Sequence, residues 1–188
     1  MQQSSAITIV SGLPRSGTSL MMQMLRAGGM PVLTDNARQA DISNPRGYFE
    51  LEAVKQTRHN ADWLNHAPGQ AVKMIYRLLY DLPDDHEYRV LFMRRDLRQV
   101  VASQQAMLGK TPATDAENQR MMAIFQKELD SVDAWLNSRR HFRVLNVPHE
   151  QIIHHSAHQV EQIKIFLNYP LDTLAMCAVI DPALHRQR

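Results

Sequence analysis

With a single cysteine, Cys177, the chain has no internal disulfide to form, and a reducing compartment is the expected setting. Charge of either sign is never concentrated: 21 Lys and Arg against 19 Asp and Glu leave a net charge of +2, without a basic cluster. Nucleic acid and membrane surfaces, which select for such clusters, are therefore not expected partners. Long hydrophobic runs are missing too. The run from Ala6 to Val10 is too short for a membrane span or a signal segment, and no cationic region precedes it, so a cytoplasmic location is expected. No repeat or low-complexity segment interrupts the chain, and its length fits a single domain over residues 1–188 with one sizeable core.

What is present starts with that same short run. Ala6-Ile7-Thr8-Ile9-Val10 reads as a buried strand, the segment from Gly12 to Gly17 as a tight loop, and the apolar stretch from Leu20 to Leu25 as a helix stopped by Gly28 and Gly29. Strand, glycine-bounded loop and helix in that order make an anion cradle, because the N–H groups of the first helical turn lack partners and carry partial positive charge. The spacing Gly12-x-x-x-x-Gly17-Thr18-Ser19 is that of a nucleotide P-loop with one departure. Lysine belongs directly after the second glycine to reach the outer phosphates, and here Thr18 occupies that place. Arg15 is the cation inside the loop, which makes ATP or GTP hydrolysis the less favoured chemistry.

Further along, Pro31-Val32-Leu33 is a candidate second strand, followed by a polar stretch from Thr34 to Tyr48. Asp35, Arg38, Asp41, Arg46 and the nearby Glu50 give this region more charge than a connection requires, so it is a candidate active-site rim. The spacing of Leu51, Val54, His59 and Trp63 predicts a helix over 51–64. Ala71-Val72-Lys73-Met74-Ile75 reads as a strand whose lysine needs an anion or a place at the strand end. Arg89–Met93 is the fourth strand, closed by Arg94, Arg95 and Asp96, and Asp96 is a plausible N-cap for a helix carrying Leu97, Val100, Val101, Gln104 and Leu108. The segment 109–116 is a polar connector with the makings of a lid. A long amphipathic helix is predicted over 117–140, a fifth strand over 142–147, and helices over 151–155, 157–168 and 171–179. Five short strands alternating with helices predict an α/β three-layer sandwich with a mainly parallel sheet of the P-loop type. His149, His154, His155 and His158 raise a metal site, but Ser156 looks like a cap dividing two helices, and no carboxylate or cysteine completes a ligand set, so no metal is expected.

Three stretches together resemble the sulfotransferases that use 3′-phosphoadenosine 5′-phosphosulfate (PAPS). Leu13-Pro14-Arg15-Ser16-Gly17-Thr18-Ser19 is similar to that family's 5′-phosphosulfate loop. Asn44-Pro45-Arg46-Gly47-Tyr48-Phe49-Glu50 resembles a segment of its small bacterial members. Arg95, with Ser103 eight residues later, resembles its 3′-phosphate motif, and Ser103 lies seven positions beyond Asp96, about 10 Å along the helix and almost back on the same face. The resemblance implies sulfuryl transfer from PAPS as co-substrate to a hydroxyl or amine on a small molecule, glycan or peptide. It assigns Arg15, Ser16, Gly17, Thr18 and Ser19 to the 5′ group, Arg95 and Ser103 to the 3′-phosphate, and Lys73 with Arg15 to the transferring group. The family's cytosolic members often place a histidine base two residues past that lysine. Ile75 stands there instead, leaving Glu50, Asp41 and His59 as candidates for the base. No counterpart is seen of the glycine- and basic-rich loop with which larger members close over the nucleotide near the C-terminus. A P-loop kinase or NTPase and a nucleotide-binding protein without catalysis are the alternatives. The acceptor and the oligomeric state are not written in the sequence.

Overall fold

Six consecutive buried residues, Ile7–Gly12, form β1. A strand covered on both faces belongs in the middle of a parallel sheet. The computed structural model, which describes residues 6–35, 37–41, 44, 46–108 and 114–181, puts β1 there. β3 (Ala71–Lys73) and β4 (Tyr88–Arg94) flank β1, and β2 (Val32–Leu33) and β5 (Phe142–Pro148) lie outside them, in the order β2-β3-β1-β4-β5. Every neighbouring pair is parallel, so the sheet is wholly parallel and all five strands end at one edge.

Alternation along these strands divides the core in two. Ile7, Ile9, Val72, Val90 and Phe92 face one layer, made by α2 (Leu97–Met107), α3 (Asp115–Asn137) and short 3-10 turns. Val10, Ala71, Leu91 and Met93 face the other, made by α1 (Thr18–Ala27), α4 (His149–His154), α5 (Ser156–Leu167) and α6 (Thr173–Ala178). Methionines fill much of this second layer: Met21, Met22, Met24, Met30 and Met176 are all buried, as unbranched side chains that fit irregular gaps. Asp96 caps α2 as the sequence predicts, its Oδ1 accepting from the N–H groups of Arg98 and Gln99. α3 starts earlier than its apolar periodicity indicates, because Thr114 and Glu117 form a reciprocal capping box ahead of the buried stripe Phe125, Leu129, Val132 and Leu136.

Three expectations are corrected. Residues 51–64 hold two 3-10 turns, Glu52–Gln56 and Asp62–His66, in place of one helix. The buried Thr57 explains the break: its hydroxyl donates to the Val54 carbonyl at 2.6 Å and accepts from Trp63 Nε1 at 3.0 Å, folding the chain back on itself. β3 stops at Lys73, and Tyr76–Asp81 turns away as a further 3-10 element. The break between α4 and α5 falls at His155, one residue before the expected cap, with φ −134 and ψ 43. The candidate lid falls largely on residues 109–113, which with the basic tail 182–188 lie outside the described residues. Among the described residues no helix is long and apolar enough to cross a membrane, and no three His, Cys, Asp or Glu come together as metal ligands.

The lock on Trp63 can be measured. Thr57→Val removes the acceptor of a buried indole N–H, so a loss of about 1–3 kcal/mol of unfolding free energy is expected in denaturant titration. An unchanged stability would show that the hydroxyl does not hold these turns.

Candidate active site at the C-terminal edge of the sheet

From the last residue of β1 to the cap of α1 the backbone takes a positive φ three times, at Gly12 (φ 147), Arg15 (φ 72) and Gly17 (φ 102). Packing as well as torsion demands the glycines. A Cβ on Gly12 would lie 2.6 Å from Ser16 Oγ and 2.8 Å from the Met93 carbonyl oxygen, and one on Gly17 would lie 2.5 Å from Cδ2 of His149. Gly17 then caps α1, whose first N–H groups have no partner within the helix and look out over the loop. Ser16 Oγ is fully buried and, with Ser11 Oγ, finds no hydrogen-bond partner. A buried hydroxyl without a partner among the described residues, beside N–H groups unpaired within the helix, suits an anion.

Helix α2 grips this loop. Arg15 Nε donates to Ser103 Oγ at 2.9 Å, Arg95 Nη1 to the Arg15 carbonyl at 3.1 Å, and Gln104 Nε2 to the Pro14 carbonyl at 3.2 Å. Burial, reinforced by the neighbouring charge of Arg15, pushes the Arg95 guanidinium pKa down from its usual value. The sequence assigns Arg15 and Ser103 to opposite ends of a nucleotide, and here they are in direct contact. Arg95 also lines an open groove of about 440 Å³, together with Arg94, Arg98, Met122 and Gln126 among others. Arg94 is committed there to Asp133 and, at 2.8 Å, to Asn146 Oδ1. Asp96 spends a carboxylate oxygen on its helix cap, and the Arg98 guanidinium has no partner among the described residues.

Lys73 ends β3 and is also paired, which meets both conditions for a lysine in a buried strand. Its side chain is 10% exposed. Nζ donates to the Tyr48 carbonyl at 2.6 Å and to Ser19 Oγ at 3.3 Å, and lies 3.4 Å from Glu50 Oε1. A left-handed turn at Phe49 (φ 54) directs the carbonyl before it and the carboxylate after it at one ammonium. Burial pushes the Lys73 pKa down, and Glu50 opposes that shift. Of the polar stretch, Tyr48 thus meets Lys73. Around it, Arg38 bonds Glu50 at 3.0 Å and stacks over the Tyr48 ring at 3.5 Å, while the Tyr48 hydroxyl donates to Asp41.

Of the residues singled out from the sequence, Arg15, Arg95 and Ser103 form one bonded set and Lys73, Ser19 and Glu50 another, both at the strand ends. Ser16, Gly17 and Thr18 lie in the loop and first turn between them. Each candidate base has a distinct setting. Glu50 Oε1 is shared by two cations, Asp41 receives the Tyr48 hydroxyl, and His59 is exposed beyond the first 3-10 turn. Sequence reasoning missed His149, weighing it only as a metal ligand. It opens α4 directly after β5, buried with its ring against Gly17. Its place at the end of a parallel strand was the available signal.

Two separable penalties attend a side chain at Gly17. Gly17→Ala is expected to lose about 1–2 kcal/mol from the left-handed backbone, plus a steric contribution from His149. In a His149→Ala background only the backbone part should remain, so a double-mutant cycle by chemical denaturation should give a coupling of more than about 0.5 kcal/mol. Additive losses would mean that the ring moves aside freely.

Comparison with known proteins follows this geometry. Three solved structures share the fold at low identity. The sulfotransferase domain of an olefin synthase from Synechococcus PCC 7002 has 14% identity and a TM-score of 0.58, over 96% of this chain and 79% of that one. The sulfotransferase domain of the curacin biosynthetic pathway has 16% identity and a TM-score of 0.53, over 100% and 80%. Mouse sulfotransferase SULT7A1, solved in complex with PAP, has 15% identity and a TM-score of 0.54, over 95% of this chain and 63% of its own length. Among curated protein sequences none matches this chain. The sulfotransferase domain model, however, matches residues 6–183, nearly the whole length, and the chain therefore belongs to the sulfotransferase domain family.

Proposed function

We propose that this protein transfers a sulfuryl group from PAPS to a hydroxyl or amine acceptor, releasing adenosine 3′,5′-bisphosphate. The observation that carries this reading is the origin of the buried lysine. A P-loop NTPase takes its phosphate-reaching lysine from the loop itself, whereas here Thr18 fills that place and Lys73 arrives from the neighbouring strand to meet Ser19 on α1. The loop fits the 5′ end of such a donor: its buried Ser16 Oγ has no partner among the described residues, and the first N–H groups of α1 lack partners within the helix.

PAPS supplies a sulfuryl group on a phosphate leaving group; transfer breaks that sulfur–oxygen bond with the electron pair going to the phosphate oxygen, while the acceptor atom bonds sulfur and sheds its proton. Ser16, Thr18, Ser19 and the first N–H groups of α1 would hold the 5′-phosphate. Arg15 and Lys73 would offset the charge that grows on the leaving oxygen, as fixed cations do in phosphoryl transfer. Arg95 and Ser103 would hold the 3′-phosphate, with Arg98, a groove-lining cation without a partner among the described residues, beside them. Glu50 serves best as the counter-charge that keeps Lys73 protonated, since a proton arriving on Oε1 would disrupt two ion pairs.

Nucleotide titration tests the donor. Arg95 also holds the loop, so Arg95→Ala should weaken both adenosine 3′,5′-bisphosphate and adenosine 5′-phosphate, the bisphosphate more. Arg98→Ala breaks no side-chain bond among the described residues, and should weaken only the bisphosphate, by about five- to twentyfold. Unchanged bisphosphate affinity in Arg98→Ala would remove Arg98 from the 3′-phosphate site, and equal losses of both nucleotides in Arg95→Ala would put the second phosphate elsewhere. Tighter binding of ATP with magnesium than of the bisphosphate would overturn the donor assignment.

The pH dependence tests Lys73 and Glu50. Activity that needs the Lys73 ammonium falls as pH rises through its pKa, which burial places below that of an ordinary lysine. Glu50 holds that pKa up, so Glu50→Gln should move the alkaline limb of the turnover profile to lower pH and leave turnover at neutral pH within about tenfold. If Glu50 were the acceptor's base, turnover would instead drop by about a hundredfold or more at every pH.

A further inference from the structure

The Tyr48 carbonyl that Lys73 uses is aimed by a torsion the chain does not favour. Phe49 takes φ 54, a left-handed value that strains a residue with a side chain. Such a torsion persists only where contacts on both sides over-determine it. Downstream the anchor is Phe49 itself, its ring buried in the α1 layer with the Arg26 guanidinium 5.4 Å from its centre. Upstream the bonds close on one another. Asp41 and Asn44 exchange backbone bonds, the Gly47 N–H reaches the Asn44 carbonyl at 3.1 Å, and the Tyr48 hydroxyl returns to Asp41. Those contacts fix the shape of the turn and not its place on the protein.

Arg46 fixes the place. Its Nη1 donates to the Val179 carbonyl, and its Nη2 lies 3.3 Å from Asp181 Oδ2. Val179 caps α6, and α6 is docked on the end of α1. The Asp172 N–H donates to the Gly28 carbonyl at 3.0 Å, and Met176 packs so closely that a Cβ on Gly28 would lie 2.6 Å from its Cγ. Arg46 therefore ties the turn to the helix that also carries Ser19, and Ser19 and Tyr48 meet at the Lys73 ammonium. An exposed ion pair alone does little. A guanidinium that engages two oxygens, one of them a helix-terminal carbonyl, sets direction as well as distance. We infer that Arg46 is a positioning residue for sulfuryl transfer: by clamping the turn before Tyr48 to the end of α6, it holds the Tyr48 carbonyl on Lys73 Nζ. The role of Lys73 in this inference rests on the sulfotransferase reading above; the clamp does not.

Competitive labelling tests the clamp without donor or acceptor. Trace acetic anhydride acetylates only the neutral amine, so Lys73 acetylation against pH, read by mass spectrometry, gives the midpoint of its titration. The Tyr48 carbonyl favours the charged form, and losing it lowers that midpoint. Arg46→Ala is expected to lower it by about one pH unit, with Glu50, Arg38 and Arg15, the charged neighbours of Lys73, left in place. Deleting a cation has the opposite sign, so a fall reads the carbonyl and not the charge. Arg46→Lys keeps a donor for Val179 and should recover at least about half of the shift. Asp181→Asn keeps the Val179 bond and should move the midpoint by less than about 0.3 unit. Turnover of PAPS by Arg46→Ala should fall about tenfold, with KM for PAPS within about twofold. An unchanged or raised midpoint, or a fall that Arg46→Lys leaves in full, would overturn the inference, whatever the substitutions do to unfolding stability. A wild type that transfers nothing from PAPS would count against the donor reading alone, because the labelling still reads the clamp.

Discussion

Cations gathered at one edge of a sheet repel one another, and every support around this site answers that repulsion. Parallel pairing brings the ends of β1, β3 and β4 together, and with them Arg15, Lys73 and Arg95. Each is held by an oxygen in a fixed place: the Ser103 hydroxyl for Arg15, the Arg15 carbonyl for Arg95, the Tyr48 carbonyl and Glu50 for Lys73. The lowered pKa values of Lys73 and Arg95 register the burial that this arrangement imposes. Positive charge held in position before a ligand arrives needs little reorganisation when negative charge develops, the condition under which electrostatic catalysis works best.

Two pieces of chain outside the loop brace these cations. Helix α2, anchored by its Asp96 cap and buried Val100 and Val101, reaches the loop through Ser103 and Gln104, and Arg95 just ahead of the cap adds a third contact. The stretch preceding the first 3-10 turn reaches Lys73 through Tyr48 and Glu50, and is itself tied down where Thr34 and Asp35 bond the Glu50 carbonyl and the Glu52 N–H. Both arrangements store backbone strain at a non-glycine residue, Arg15 in the loop and Phe49 beside Lys73. Such torsions cost of order 1–3 kcal/mol and persist only where surrounding contacts over-determine them, and here they coincide with the residues that converge on the site.

Much of the architecture was legible because it depends on local pattern. The β-branched run of β1, the glycine spacing of the loop, the Asp96 cap and the stripe on α3 each state their structure within a few residues. The misread stretch 51–64 shows where that legibility stops. Its apolar spacing is compatible with a helix, and one buried hydroxyl, joined to a tryptophan six residues away, decides for two 3-10 turns.

The sequence alone determined the order of elements, the parallel α/β class, the glycine-bounded cradle and the likeness to one family, because these follow from residue type and spacing along the chain. Tertiary structure decided what the charges do. That Arg15 rests on Ser103, that Tyr48 lends Lys73 its carbonyl, that Glu50 divides itself between Lys73 and Arg38, and that His149 closes on Gly17 are contacts between residues 12 to 132 positions apart. No local pattern encodes such pairs, since they exist only once five strands have ended at the same edge.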